Sequence, residues 1–211
     1  MAGGKIPIVG IVACLQPDMG IGFQGGLPWR LSKEMKYFRQ VTSSTKDSSK
    51  RNAVIMGRKT WESIPPKFRP LPNRMNVVIS RSFNDGFAHD TEEAIIRSNS
   101  LANALTHLED KFPDSLERIY VIGGGEVYNQ MFPFTDHWLI TKINALGETA
   151  LPAMDTFLDA KRLKEAFSEQ DPAQLKEFLP TTVDLPEINP DHRYSQEEKG
   201  YRFEFALYNR K

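Results

Sequence analysis

Short apolar runs closed by turn residues recur along this chain of 211 residues, and stretches with helical spacing lie between them; that alternation constrains the fold more than any single motif. The runs are Ile6 to Leu15, Ala53 to Met56, Met75 to Ser80, Ile119 to Ile122, Trp138 to Ile143 and Tyr201 to Leu207. Helical spacing appears over Ser32 to Thr42, in a short turn from Lys59 to Ser63, and over Leu101 to Leu108 and Glu126 to Phe132. Strands and helices in alternation predict an α/β fold: a single domain over residues 1–211, with a central, mostly parallel β-sheet and helices on both faces. The last run differs. Tyr201, Phe203, Phe205 and Leu207 alternate with Arg202, Glu204 and Tyr208, as in a strand with one wetter face, which predicts an antiparallel C-terminal strand near a sheet edge. Asp171-Pro172-Ala173-Gln174 supplies a cap, a first-turn proline and a capping-box glutamine, so a helix should run to Phe178. The proline-rich stretch from Pro180 to Pro190 reads as an irregular loop, and the remainder of 160–200 carries little local signal.

The 27 Lys and Arg balance 27 Asp and Glu, so no net charge draws the chain to nucleic acid or to an anionic membrane, and any bound anion needs a local cluster. A small-molecule partner follows, and nothing in the pattern asks for an oligomer, so a monomer is expected. Cys14 is the only cysteine; it sits in the apolar run Ile11-Val12-Ala13-Cys14 and reads as core in a reducing compartment. No apolar stretch approaches the roughly 20 residues that span a bilayer, and the N-terminus lacks the regions of a signal peptide, which points to the cytoplasm.

A literal G-x-G-x-x-G occurs at Gly20-Ile21-Gly22-Phe23-Gln24-Gly25, but Gln16-Pro17-Asp18 breaks the strand before it and Leu27-Pro28-Trp29 follows where a phosphate-binding helix should begin. It reads either as a mobile glycine-rich loop over a site or as a plain surface turn. Two strand-to-helix junctions are better anion candidates: Val54-Ile55-Met56-Gly57-Arg58-Lys59-Thr60 and Val121-Ile122-Gly123-Gly124-Gly125-Glu126. Each alone is equally an ordinary tight turn; together they could grip a pyrophosphate. A third strand ends in Ser80-Arg81-Ser82, hydroxyls beside a guanidinium, as a ribose 2′-phosphate would need. An NADP-type cofactor explains all three. Motifs for nucleotide hydrolysis, acyl transfer and zinc chemistry are absent, and the four histidines lack ligand spacing, so no metal is expected.

In Leu31-Ser32-Lys33-Glu34-Met35-Lys36-Tyr37-Phe38, helical spacing pairs Leu31 with Met35 and Glu34 with Phe38, which draws the Glu34 carboxylate toward the apolar face. If buried, it should have a raised pKa and seek a donor pair or a proton; the alternative is a first-turn acid behind a Ser32 N-cap. The stiff loop from Pro65 to Asn73 presents Arg74 at a strand start, either as a clamp for a substrate carboxylate or as an exposed solubilising arginine.

These segments, in this order, resemble the dihydrofolate reductase family. The stretches that carry the resemblance are Gly20-Ile21-Gly22 through Leu27-Pro28-Trp29, Glu34 with Phe38, Val54 to Pro65, Arg69-Pro70-Leu71-Pro72-Asn73-Arg74, Ser80-Arg81, Val121 to Tyr128, and Leu139-Ile140-Thr141. They span roughly residues 8–143 and resume near the terminal strand, and the inserts and long C-terminal region resemble the fungal branch. The resemblance implies NADPH as cofactor and dihydrofolate, or an antifolate-like small molecule, as ligand. It implies that Glu34 bonds the 2-amino group and N3 of the pterin with Thr141 supporting it, that Trp29 orders a nearby water, and that Leu27 lies in a loop closing over the nicotinamide. Ile11, Val12, Ala13, Met35, Phe38, Ser63, Ile64, Leu71, Ile122 and Tyr128 would line the pocket, and Arg74 would receive the α-carboxylate of the glutamate tail. Gly57, Arg58, Lys59 and Thr60 with Gly124, Gly125, Glu126 and Val127 would hold the cofactor phosphates, and Ser80 and Arg81, beside Ile79, the 2′-phosphate. Ala13, Ile21, Ile122 and Tyr128 would lie along the nicotinamide. The chain departs from the family pattern at Met35, at Asn99, where a basic residue is expected, and in Met154-Asp155-Thr156-Phe157-Leu158-Asp159, which matches loosely.

Because a carboxylate on the far side of the pterin is poorly placed to protonate N5, an ordered water is the expected donor. The alternatives are an NADPH reductase of another ring, and a silent nucleotide-binding protein on the same fold; turnover separates them.

Overall fold

The computed structural model describes residues 5–84, 87–90 and 95–211. In chain order the elements are β1 (Ile8–Leu15), β2 (Gly20–Gly22), α1 (Ser32–Ser43), β3 (Arg51–Gly57), α2 (Arg58–Ser63), β4 (Arg74–Ile79), β5 (Phe87–Asp90), β6 (Ile95–Ser98), α3 (Leu101–Lys111), β7 (Leu116–Gly123), α4 (Gly125–Met131), β8 (His137–Ala145), β9 (Thr156–Phe157), α5 (Ala160–Ala166), β10 (Phe167–Glu169), α6 (Pro172–Phe178), β11 (Tyr194–Glu198) and β12 (Tyr201–Arg210).

The sheet runs β10-β12-β8-β1-β7-β3-β4-β6-β5. From β8 to β6 every neighbouring pair is parallel, whereas β12 is antiparallel to β8 and β10 to β12. The expected α/β architecture with an antiparallel C-terminal strand is therefore the observed one. Alternating side chains divide the core. Ile8, Val12 and Cys14 of β1, Ala53 and Ile55 of β3, and Trp138 and Ile140 of β8 pack on one face with residues of α3, α4 and α5. Val9, Ile11 and Leu15, Val54 and Met56, and Leu139 and Ile143 pack on the other with the cap residue Leu31, with Tyr37 and Val41 of α1 and with Leu175 of α6. This is the period of two expected of strands covered on both sides.

Gly10 of β1 lies opposite Trp138 of β8, and a Cβ built there would sit 2.3 Å from Trp138 Cε3. Gly10→Ala should therefore cost about 3 kcal/mol through overpacking, read as a lower urea midpoint with the slope unchanged.

Three expectations are corrected. The 160–200 region, read as one helix and a loop, also contains α5, β10 and β11; the first two are short, and β11 is polar enough that periodicity does not announce it. Of the glycine-rich segment, Gly20–Gly22 is a strand paired with β1 and β9, and Phe23 and Gly26 exchange backbone hydrogen bonds across a tight turn. Ser32 is not the N-cap of α1: the cap is Leu31, with no side-chain cap bond. The capping box of α6 forms as expected.

Candidate active site

Parallel strands bring their C-terminal ends to one edge, and the registers Gly57 with Ile79 and Met56 with Gly123 place the ends of β3, β4 and β7 side by side. Beside them, α1 lies across the face that carries Ile11 and Leu139.

Glu34, in the first turn of α1, is buried with Tyr37, Val41 and Thr42 on the inward side of the helix. Its Oε1 accepts a hydrogen bond of 3.3 Å from Thr141 Oγ1, and Thr141 sits on β8 opposite Ala13 of β1 and Phe205 of β12. No cation pairs with the carboxylate among the described residues. Burial raises its pKa to about 7, with the Thr141 hydroxyl pulling the other way. Cys14, Tyr37 and Tyr128 stand close enough to feel its charge, and burial holds all three neutral. Cys14 is thus core, as read from sequence. Trp29 Nε1 and Tyr37 Oη are buried with no hydrogen-bond partner among the described residues, so this corner holds polar atoms that protein alone does not satisfy.

Ile11, Ala13, Phe38, Ile64, Leu71 and Ile122 join Trp29 and Leu31 in one apolar cluster. Val12 does not; its side chain faces the opposite cluster, as strand alternation requires. Tyr128 also packs there, but its hydroxyl reaches through to donate to the Ile11 carbonyl at 2.7 Å. Met35 is 51% and Leu27 52% exposed, so the expected Leu31–Met35 packing is absent and Tyr37 takes the inward position, stacked 3.8 Å from Phe205. Ser63 is exposed, its hydroxyl donating to the Thr60 carbonyl.

Arg74 is not a solubilising surface group: it is 6% exposed. Its Nε donates to the Pro72 carbonyl at 2.9 Å and its Nη1 to Thr42 Oγ1 at 2.8 Å. Burial, and then the nearby Arg39, lower its pKa to about 10, which leaves it cationic at neutral pH. No carboxylate pairs with it among the described residues. Thr42, which holds Arg74, lies eight residues beyond Glu34 on α1, so the backbone positions of Glu34 and Thr42 are about 12 Å apart along the helix axis.

The two glycine junctions touch. A Cβ on Gly57 would sit 3.3 Å from Val127 Cγ2 and 3.8 Å from Gly124 N, and one on Gly124 3.2 Å from Thr60 Oγ1. Gly123 has φ +124°, which side chains rarely adopt. Around this cradle Arg58 and Lys59 are exposed. Among the described residues Arg58 and Arg81 make only long, exposed ion pairs of 3.8 Å, with Glu62 and Glu126, weak enough to yield to a stronger anion. Ser80 Oγ lies 2.8 Å from Ser82 Oγ. Ile79 and Ile21 pack under the cradle, Ile21 Cδ1 standing 3.8 Å from a Cβ built on Gly125. Asn99 accepts from Asn103.

Sequence reasoning passed over Asp155, whose Oδ2 accepts from Gln24 N at 2.8 Å while its own N–H donates to the Gly22 carbonyl at 3.0 Å. The Gln24 N–H and the Thr156 hydroxyl hold its carboxyl below the usual range. With β9 paired to β2, Asp155 clips the glycine-rich segment into place. Asp155→Ala should raise the hydrogen-exchange rate of the Gln24 amide by about tenfold, with exchange in the β1 amides unchanged.

The dihydrofolate reductase family model matches residues 8–184. A dihydrofolate reductase of Saccharomyces cerevisiae is 77% identical over 211 residues, all of both chains. One of Candida albicans is 40% identical over 203 residues, 95% of this chain and 96% of that one. A bifunctional dihydrofolate reductase-thymidylate synthase of Arabidopsis thaliana is 43% identical over 151 residues, 69% of this chain and 26% of its own length.

Proposed function

The chain belongs to the dihydrofolate reductase family, in its fungal type, and from that premise we propose that it reduces 7,8-dihydrofolate to 5,6,7,8-tetrahydrofolate with NADPH. The observation that carries this reading is the pair formed by Glu34 and Arg74: among the described residues, a buried carboxylate without a cation and a buried guanidinium without an anion, tied to the same helix that packs on one apolar cluster. A flat ring with an amino group fits the first, a carboxylate tail the second, and an aromatic linker the apolar cluster.

The residues present fit NADPH. The Gly57 and Gly124 cradle leaves room only for backbone, and Arg58, Lys59 and Thr60 with Gly125, Glu126 and Val127 would hold the phosphates. Ser80 and Arg81 would take the 2′-phosphate, and Ala13, Ile21, Ile122 and Tyr128 would flank the nicotinamide. When bound, NADPH supplies the hydride, from nicotinamide C4 to pterin C6. The chain's own work is orientation and proton control. Glu34 accepts from the 2-amino group and N3 while Thr141 keeps its carboxyl aimed. Trp29 Nε1, buried and unpaired, is the donor that would fix a water, and that water would deliver the proton to N5. Leu27 and the segment held by Asp155 would close over the nicotinamide.

The same reading takes residues 1–211 as one monomeric cytoplasmic domain with small-molecule partners, antifolates among them, and neither membrane nor nucleic acid. Its product would feed one-carbon metabolism: thymidylate, purine and glycine synthesis. Among the described residues no helix is long and apolar enough to cross a membrane, and none form a metal-binding cluster. The test is NADPH oxidation by the purified protein. Oxidation that depends on dihydrofolate supports the assignment; bound NADPH with no dihydrofolate-dependent oxidation overturns it.

A further inference from the structure

The helix that carries Glu34 begins without a cap of its own, yet its first N–H groups are bonded. Glu198, from the far end of the chain, accepts from Ser32 N through Oε1 and from Lys33 N through Oε2, both at 3.0 Å. Two further bonds cross the same junction. Lys33 Nζ donates to the Glu197 carbonyl at 3.2 Å and Lys199 Nζ to the Arg30 carbonyl at 2.9 Å. We propose that the tip of the β11–β12 hairpin is a positioning device for the substrate helix, with Glu198 as the residue that sets where Glu34 sits.

The hairpin is built to hold still. Lys199 and Gly200, at φ +51° and +80°, form a two-residue turn between Glu198 and Tyr201, which are register partners. Leu146 N donates to the Gly200 carbonyl at 2.8 Å, and Arg202 bonds Glu197. From the tip, β12 runs under the site. Its Phe205 stacks on Tyr37 of α1 and pairs with Thr141 of β8, the partner of Glu34. Cap, strand, threonine, carboxylate and helix thus close a circuit. A second fastening lies one side of α1 further along, where Asp184 and Gln40 exchange hydrogen bonds and Lys36 pairs with Asp184 at 2.7 Å. The proline-rich loop and the hairpin together brace the outside of the helix, and the hairpin lies beyond residue 184, where the family match ends.

A carboxylate on the first N–H groups of a helix holds that turn by hydrogen bonding and by charge. Releasing it lets the Ser32–Glu34 turn fray, which lengthens the 3.3 Å contact with Thr141 and admits water to Glu34. The groups facing Glu34 are Thr141 of β8, Cys14 of β1, Tyr128 of α4 and Tyr37 of its own helix; none of the four is a cation. Hydration therefore lowers the pH at which Glu34 titrates. Those near Glu198 are Lys33 and Lys199, with Glu197 beside it in the strand and paired to Arg202.

The inference rests on the reductase reading, and the experiment separates the two. Glu198→Ala and the isosteric Glu198→Gln are assayed for dihydrofolate KM, NADPH affinity by fluorescence titration, and the pH at which turnover inflects. Glu117→Gln is the control, because Glu117 likewise bonds two backbone N–H groups, those of Lys46 and Asp47, away from the start of α1. The expected result is a dihydrofolate KM raised about fivefold in Glu198→Ala, less in Glu198→Gln, an inflection moved to lower pH in both, and unchanged NADPH affinity. Glu117→Gln should lose stability with KM and inflection intact. Should both Glu198 variants match the active wild type in KM and inflection, losing only thermal stability, the inference fails and the reductase reading stands. A wild type without dihydrofolate-dependent turnover sinks both.

Discussion

Glu34→Gln is expected to lower kcat/KM for dihydrofolate at pH 7 by roughly 10²- to 10³-fold, and to lack the pH dependence expected of the wild type in this range. In the proposed reaction N5 takes its proton from a water, and Glu34, whose pKa burial raises to about 7, can resupply that water with a proton only below this value. Turnover of the wild type should then decline as pH rises through that value. Glutamine keeps the shape and one acceptor but holds no exchangeable charge, so the variant should be slow and flat over the same interval. The steady-state pH profile of the two proteins side by side decides the point; an unchanged inflection in the variant would assign it to another group.

The same burial makes a stability prediction of definite sign. In the folded protein Glu34 keeps its proton from the ordinary glutamate range near 4.5 up to about 7, where the unfolded chain has already released it. Stability therefore falls as pH rises through that interval, and the loss is complete above about 7, where it amounts to roughly 3 kcal/mol. Glu34→Gln should be more stable than the wild type at pH 8, with the difference closing toward pH 4.5. Activity and stability move in opposite directions at this residue, as expected where a charge is buried for use.

Arg74→Leu should raise the dihydrofolate KM by about 10²-fold, with a far smaller effect on a pteridine that lacks the glutamate tail. A guanidinium already desolvated, held by Pro72 and Thr42 and short of a carboxylate, is prepared to bind one. The truncated ligand is the decisive comparison: equal loss on both would show that Arg74 acts by supporting the fold. Leucine removes an unpaired buried charge, so the variant should be no less stable than the wild type.

The polarity and period of the strands were legible because each central strand is covered on both faces, and buried strands write themselves as apolar runs. The edge pair β5 and β6 was not anticipated from the sequence; β6 offers only four residues. The two strand-to-helix junctions were legible because glycine marks the point where each strand gives way to its helix, at Gly57 and Gly124. Glu34 was legible as an acid on an apolar helical face. Met35 was misjudged by the same reasoning, since spacing alone cannot say which edge of an apolar stripe tertiary packing will cover, and Tyr37 took the place through its stack on Phe205.

What the sequence determined, then, is what short-range chemistry specifies: the alternation that makes a parallel sheet, the glycines at its mouth, the proline that stiffens the approach to Arg74. Tertiary structure alone decided the rest. Burial of Arg74, the meeting of Gly57 with Gly124, the clip of Asp155 on Gln24 and the cap of Glu198 on α1 all join residues remote in sequence. A polar side chain carries no local record of which distant backbone group it will satisfy; only the closed sheet, by fixing which loops share an edge, selects the partner.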